Sequence, residues 1–403
     1  MGLERRGHDA FQVFEQSGHP GGLGASFRDA HGFVWDIGAH LHLRRKPEYI
    51  RLLDDCGSTG WNAHGCGAWI WTHGRLIPHP FQQNLKHLPE DAAARCAEGL
   101  RSARAHSRRM RGTLQDWIVS EYGTAIAEEF LLPYCRKAWA YDPSAMSAEW
   151  AVKRFPSDDT PRPSAPTYPA EGGNGIVWQH LAERLGPRLR LSAPVNRVDT
   201  SAHRIQLRDG TEIPYSALVS TMPLDRLIEI SDSTSMRTRA VELHYTSLLV
   251  IGLGFRGARP ELFRGIGWFY SAEPEVPFFR ATVHSNLSPG NVPAGGYWSL
   301  LLEISHPPGK RPVTAECIDA SIGTLAQWGA PVRQGNLVST WIQSVERAYP
   351  IPTAGRAAAV ATLLDTLRKR DVHSIGRFGA WRYENANQDD CFEEGLAVAA
   401  ELM

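Results

Sequence analysis

Cysteine is scarce in this sequence. The six present, at positions 56, 66, 96, 135, 317 and 391, form no C-x-x-C pair and have no histidine at metal-ligand spacing. That spacing excludes a structural zinc centre and a disulfide framework as sources of stability. No window approaches the ~20 consecutive apolar residues of a membrane-spanning helix. The opening residues lack the basic and then apolar pattern of a secretory signal. Charge of one sign is also missing, since 43 basic residues balance 43 acidic ones, so there is no basic footprint for nucleic acid or an anionic membrane. Internal repeats and low-complexity tracts are absent. Together these absences imply a reduced, soluble, cytoplasmic protein with no metal, no nucleic-acid partner and no membrane partner. What is present is 42% hydrophobic residues over 403 positions, enough for about two or three domains, each with its own core.

One more absence concerns chemistry. Ala10-Phe11-Gln12-Val13-Phe14-Glu15 reads as a short buried strand ending in an acid, followed by the turn Ser17-Gly18-His19-Pro20-Gly21-Gly22. In a Rossmann βαβ unit, the acid at the tip of the second strand binds a ribose hydroxyl, roughly 20 residues after a glycine-rich phosphate loop. Glu15 stands in that place. The loop belongs upstream, but residues 1–8 read only as the last turn of a crossover helix. The expectation is therefore a dinucleotide-binding unit without its first strand and phosphate loop.

Further along, residues 33–40 form a strand-like run ending in Gly38-Ala39-His40, and residues 68–78 read as a hairpin. Between residues 91 and 146 the period becomes helical, with Leu114, Trp117, Ile118, Ala125, Ile126 and Phe130 recurring at helical spacing. Residues 155–170 carry five prolines and mark an extended loop. Gly172-Gly173-Asn174-Gly175 opens a helix running through Leu185, and Asp209-Gly210 marks a hairpin turn. Residues 240–345 are dominated by strand-like runs, including residues 247–253 and 297–304. A helix near residues 355–370 and a final helix after Phe392 complete the chain.

The segment Ile375-Gly376-Arg377-Phe378-Gly379 precedes that final helix. Small residues before a helix N-terminus let backbone N–H groups approach an anion, and an adjacent arginine adds a forked donor. An ordinary turn before a terminal helix explains the same residues. In combination with Glu15, Gly21-Gly22, Gly38-Ala39-His40 and Tyr349-Pro350-Ile351-Pro352, the segment resembles the UDP-galactopyranose mutases and their relatives in the amine-oxidase-like flavoprotein superfamily. The similarity runs in order over nearly the whole chain.

The resemblance implies an α/β protein with a discontinuous Rossmann-like FAD-binding domain (residues 1–60, 170–225 and 350–403). It adds a helical insertion (82–150) and a mixed or antiparallel sheet domain (61–81 and 226–349). It implies that FAD is held by Glu15, Gly21, Gly22, Gly38, Ala39, Val195, Gly376, Arg377 and Tyr383, with Val195 meeting the adenine and Arg377 the pyrophosphate. His40 would sit near the flavin N5 region. A nucleotide-sugar substrate would meet Arg154 and Arg280 through its diphosphate, Trp139 over the base, and Tyr349 and Tyr383 around the sugar. His40, Arg154, Arg280, Tyr349 and Tyr383 form the expected catalytic set. Plain structural roles compete at several positions: core packing for Trp139 and Tyr349, a solvated charge for Arg154, a satisfied strand-end histidine for His40. Where bacterial mutases carry an acid two positions after the tyrosine corresponding to Tyr383, this chain has Asn385.

The activity implied is conversion of a UDP-galactopyranose-type substrate to its furanose form, with no net redox change. The alternative is an oxidoreductase of the amine oxidase or protoporphyrinogen oxidase type, because one flavin scaffold hosts both chemistries. A third reading, motivated by the missing loop, is a truncated, non-catalytic relative. Helical insertions of this kind suggest a homo-oligomer by analogy alone.

Overall fold

The computed structural model describes residues 2–56, 60–63, 67–105, 112–154, 166–330, 332, 334–384 and 386–403, with backbone alone for residues 152–154 and 334. A seven-stranded mixed sheet forms its largest layer. In chain order the strands are β1 (Gly67–Thr72), β2 (Arg75–Pro78), β3 (Tyr245–Arg256), β4 (Ile266–Ser271), β5 (Arg280–Thr282), β6 (Tyr297–His306) and β7 (Leu337–Pro350). Across the sheet they run β7-β3-β6-β5-β4-β1-β2. Only the β4–β1 pair is parallel.

Strand β3 reads as an almost unbroken apolar run because both its faces are covered. Leu249, Ile251, Leu253 and Phe255 pack beneath Cys317, Ile322 and Leu325 of the helix Thr314–Gln327. Leu248 and Val250 meet Phe33 and Trp35 on the other face. Gly252 and Gly254 share that second face, where an added Cβ would lie 2.5 Å from Trp35 Cε3 and 2.7 Å from Phe33 Cζ. Two missing side chains thus let the aromatics around the strand Val34–Asp36 lie flat on the sheet. The indoles of Trp35 and Trp341 extend the stack at 6.3 Å.

The remaining strands are short. Val13–Phe14 pairs in parallel with Leu189–Arg190, and Leu218–Ser220 with Val372–Ser374. Val195–Asp199, Arg204–Leu207 and Glu212–Pro214 form an antiparallel meander. One apolar cluster joins these distant segments, with Phe14, Leu23 and Val195 packed against Val198, Leu224, Val372, Phe378 and Trp381. The helices Glu90–Ala105, Leu114–Ile126 and Leu132–Trp139 form a separate group. Two of these helices touch at Gly99 and Gly123, where a Cβ on Gly123 would meet the Gly99 carbonyl oxygen at 2.5 Å.

Several local expectations change. The interval 240–345 contains the helix Thr314–Gln327, whose apolar positions recur at helical spacing among strand-forming neighbours. The final helix is Gln388–Glu401 and starts before Phe392, because Asn387 and Asp390 form a reciprocal cap. Residues 2–8 hold a short 3-10 turn at Glu4–Arg6 instead of the end of an α-helix. Pro47–Asp55 is a helix that was not anticipated, with proline in its first turn. No helix among the described residues is long and apolar enough to cross a membrane.

Candidate flavin and substrate site

Register places the polar groups of the sheet. Ile70 is opposite Tyr270, Tyr270 opposite Arg280, Arg280 opposite Glu303, and Glu303 opposite Val250. Cross-strand partners project from the same face, so β4, β5 and β6 present a tyrosine, an arginine and a glutamate side by side. Glu303 is fully buried and interrupts the apolar run Leu300-Leu301-Leu302-Glu303-Ile304. Arg280 Nε and Nη2 donate to its two oxygens, both at 2.6 Å. The Ala39 N–H donates to Glu303 Oε1 at 3.3 Å. Gly38 has φ +86°, and a Cβ there would sit 3.2 Å from Glu303 Oε2. The Gly38 turn is therefore moulded onto the arginine–glutamate pair. Burial opposes the Arg280 charge, but Glu303 outweighs it and keeps the guanidinium firmly protonated.

His40 turns back, with Nε2 3.0 Å from the Ile37 carbonyl oxygen. Burial first, then the Arg377 and Arg280 guanidinia, hold its ring below the usual histidine range, against Asp36 and Glu303. It is neutral at physiological pH. Tyr349 belongs to the same neighbourhood. Burial and then Glu303 push its phenol up, while Arg280 and Arg377 oppose. Burial likewise raises Tyr134 and Tyr270, both of which sense Arg280. These phenols stay protonated and do not serve as bases near neutral pH.

An aromatic wall stands beside them. Trp139 lies 4.6 Å from Tyr383, 5.4 Å from Trp150 and 6.0 Å from Tyr349, ring centre to ring centre. Trp139 is 6% exposed, and its carbonyl oxygen accepts a bond from Thr246 Oγ1. In this structure it is packed into the wall, as a core residue would be.

The other end of the site is built from the short strands. Glu15 follows Val13–Phe14, donates its backbone N–H to Arg190, and accepts from Ala193 N–H. Its Oε1 accepts the Ser17 N–H at 2.7 Å, and its Oε2 has no partner among the described residues. Val195 starts the strand just beyond Ala193. Gly21 and Gly22 have φ +102° and +52°, backbone that glycine adopts without strain. Arg377 Nε and Nη2 both donate to the Ala386 carbonyl oxygen, at 3.1 and 2.9 Å, and Gly376 has φ +81°. Arg377 thus ties the segment Gly376–Gly379 to the start of the final helix.

Of the residues singled out in the sequence, His40, Arg280, Tyr349, Tyr383, Trp139 and Arg377 converge, together with Gly38 and Ala39. Glu15, Gly21, Gly22 and Val195 lie at the other end, linked through the shared core of Phe14, Val195 and Phe378. The Arg154 side chain and Asn385 lie outside the described residues. Glu303, Tyr134, Tyr270 and Trp150 are additions. Glu303 carried a readable signal, since a lone acid in an apolar strand demands a buried partner. Among the described residues no group of histidine, cysteine and acid side chains could hold a metal ion.

These features fit a flavin dinucleotide. An acid with a free oxygen stands at the tip of one strand, glycines with positive φ hold a turn, and a second turn, at Gly38, also has positive φ and lies close against Glu303. The model of the flavin-containing amine oxidoreductases matches residues 2–402.

The chain belongs to this family.

FAD is the cofactor of this flavoprotein. Among solved structures, reduced UDP-galactopyranose mutase is similar at 32% identity with a TM-score of 0.93, over all of this chain and 90% of that one. Cyclohexylamine oxidase from Brevibacterium oxydans shares 16% identity (TM-score 0.73, 100% and 95% covered). Putrescine oxidase bound to putrescine shares 15% (TM-score 0.71, 100% and 95% covered). The two oxidases share the fold of this flavoprotein.

Proposed function

We propose that this flavoenzyme is a mutase acting on a nucleotide-diphosphate sugar, of the type that interconverts UDP-galactopyranose and UDP-galactofuranose. The observation that carries the reading is the 32% identity to reduced UDP-galactopyranose mutase along the full chain, twice that to the amine oxidase from Brevibacterium. Local charge supports it. Around Tyr349 two guanidinia, Arg280 and Arg377, stand against one carboxylate, Glu303. Such a balance favours an anion over the cationic amine that an amine oxidase takes up.

Reduced flavin would supply an electron-rich nitrogen for attack on the anomeric carbon. The chain's own groups do the rest. Glu303 holds Arg280 by its Nε edge, leaving Nη1 for a diphosphate. As that diphosphate departs it gains charge, and a fixed guanidinium in a partly buried site stabilises the charge without reorganising. The phenols of Tyr349 and Tyr383 are placed to orient the sugar, and the wall of Trp139 and Trp150 excludes water. In this reading Glu15 and Val195 hold the adenosine end of FAD, Gly376 and Arg377 lie toward its pyrophosphate, and Gly38, Ala39 and His40 border its ring.

The test is to supplement the protein with FAD, reduce it with dithionite and add UDP-galactopyranose. Furanose product is expected, with no oxygen uptake. Bound, reduced FAD without furanose product, together with hydrogen peroxide released from an amine, would overturn the reading in favour of an oxidase.

A further inference from the structure

A fully buried, many-partnered carboxylate lies just behind the Gly38 turn, and the proposed chemistry does not use it. Asp36 is fully buried. Its Oδ1 accepts from Ser26 Oγ at 2.5 Å and from the Asn174 N–H at 3.2 Å. Its Oδ2 accepts from the Tyr168 hydroxyl at 2.8 Å and lies 3.3 Å from His284 Nε2. Tyr168 in turn accepts from Asn291 Nδ2 at 3.1 Å. A Cβ on Gly173 would come within 2.8 Å of Asp36 Oδ1, so the glycine loop is shaped around this carboxylate. Four stretches of chain converge on one side chain: the strand Ser26–Arg28, the strand Thr167–Pro169, the glycine loop, and the residues after β5 in the sheet layer.

Asp36 also starts the turn, because its carbonyl oxygen accepts the Gly38 N–H at 3.0 Å. A buried ion is a poor way to gain stability, since apolar replacements of similar volume often do as well. A charge kept at the root of this turn therefore calls for a use beyond folding.

We infer that Asp36 is the positioning residue of the Gly38-Ala39-His40 turn, and that its charge, in addition to its hydrogen bonds, sets the environment of the FAD ring at that turn. Burial opposes ionisation of Asp36, but His284, Ser26 and Tyr168 outweigh it and hold the carboxyl below its ordinary range. The charges facing His40 then balance, with Asp36 and Glu303 against Arg377 and Arg280. Removing the Asp36 charge leaves the turn net positive. Reduced flavin is more electron-rich than oxidised flavin, so a net positive surrounding favours reduction.

The test compares Asp36→Asn, which removes the charge, with Ser26→Ala, which removes one donor and leaves the charge. Hydrogen exchange read by mass spectrometry should show residues 37–42 exchanging about tenfold faster in Asp36→Asn, the equivalent of one hydrogen bond, while peptides from β3 and β6 keep their protection. The midpoint potential of bound FAD should move positive in Asp36→Asn and stay in place in Ser26→Ala. The inference is overturned if residues 37–42 keep their protection, if they lose it only in step with β3 and β6, or if the two variants share one potential. Should Asp36→Asn fail to fold, Tyr168→Phe and Ser26→Ala must each accelerate exchange at residues 37–42 alone, and absence of that effect in either overturns it. Neither readout involves a sugar substrate, so the mutase reading stands or falls separately.

Discussion

Replacing Arg280 with methionine would strand a glutamate in the middle of the sheet. Glu303 has no exposed area and the Arg280 side chain is 18% exposed, so solvent screens their two bonds weakly. Breaking such a pair from one side costs about 3–5 kcal/mol, mostly the penalty of an uncompensated buried charge. Arg280→Met and Glu303→Leu should each lose about that much, lowering the urea midpoint by about 1 M or more. The double variant Arg280→Met/Glu303→Leu leaves no charge behind and should return to within about 2 kcal/mol of wild type. The Arg280→Met deficit should also depend on pH. A stranded carboxyl has a folded-state value above the unfolded one, so the deficit is full above that raised value and shrinks as pH falls toward the ordinary carboxyl range. Urea titrations of the four proteins at pH 7 and pH 5 read both effects. Additive losses in the double variant, or single losses below about 1 kcal/mol, would refute the reasoning.

Three other outcomes follow from particular contacts. His42 is buried with Nδ1 2.6 Å from the Tyr49 hydroxyl and Nε2 without a partner among the described residues, and burial, against Asp36, brings its ring down to about 4. Its depressed value means stability is complete above about pH 6.5 and falls by an amount on the order of 3 kcal/mol as pH drops toward 4, whereas His42→Gln should flatten that window in urea titrations at pH 7 and 5. Gly252→Ala would push a methyl group into Trp35 and should destabilise by about 1–3 kcal/mol in thermal or urea unfolding, as overpacking does. Arg45→Met would leave Asp389, 1% exposed, without its two-pronged partner, and should increase hydrogen exchange selectively in the helices Pro47–Asp55 and Gln388–Glu401, which this pair ties together.

Much of the architecture was legible wherever the signal was local. The hairpin at residues 68–78, the Asp209-Gly210 turn, the apolar runs of β3 and β6, and the helical period around Leu114 and Phe130 depend on neighbours within a few residues. The helix Thr314–Gln327 escaped notice because its period was averaged into flanking strands, and the start of the last helix because a cap decides it. His40, Arg280, Tyr349 and Tyr383 could be named from short motifs in order along the chain.

Their meeting was implied by the resemblance alone, and no short-range signal in the sequence carries it. Glu303 and Ala39 lie 264 positions apart and are joined by a single hydrogen bond. Asp36 reads as an ordinary polar residue at a strand end until Ser26, Tyr168, Asn174 and His284 arrive around it. Backbone period, turn chemistry and helix capping are short-range physics, and the order of residues alone determined them here. Which charge neutralises which, which histidine is neutral, and which glycine faces an indole depend on strand register and on burial. Those are properties of distances between remote segments, and only the folded chain decided them.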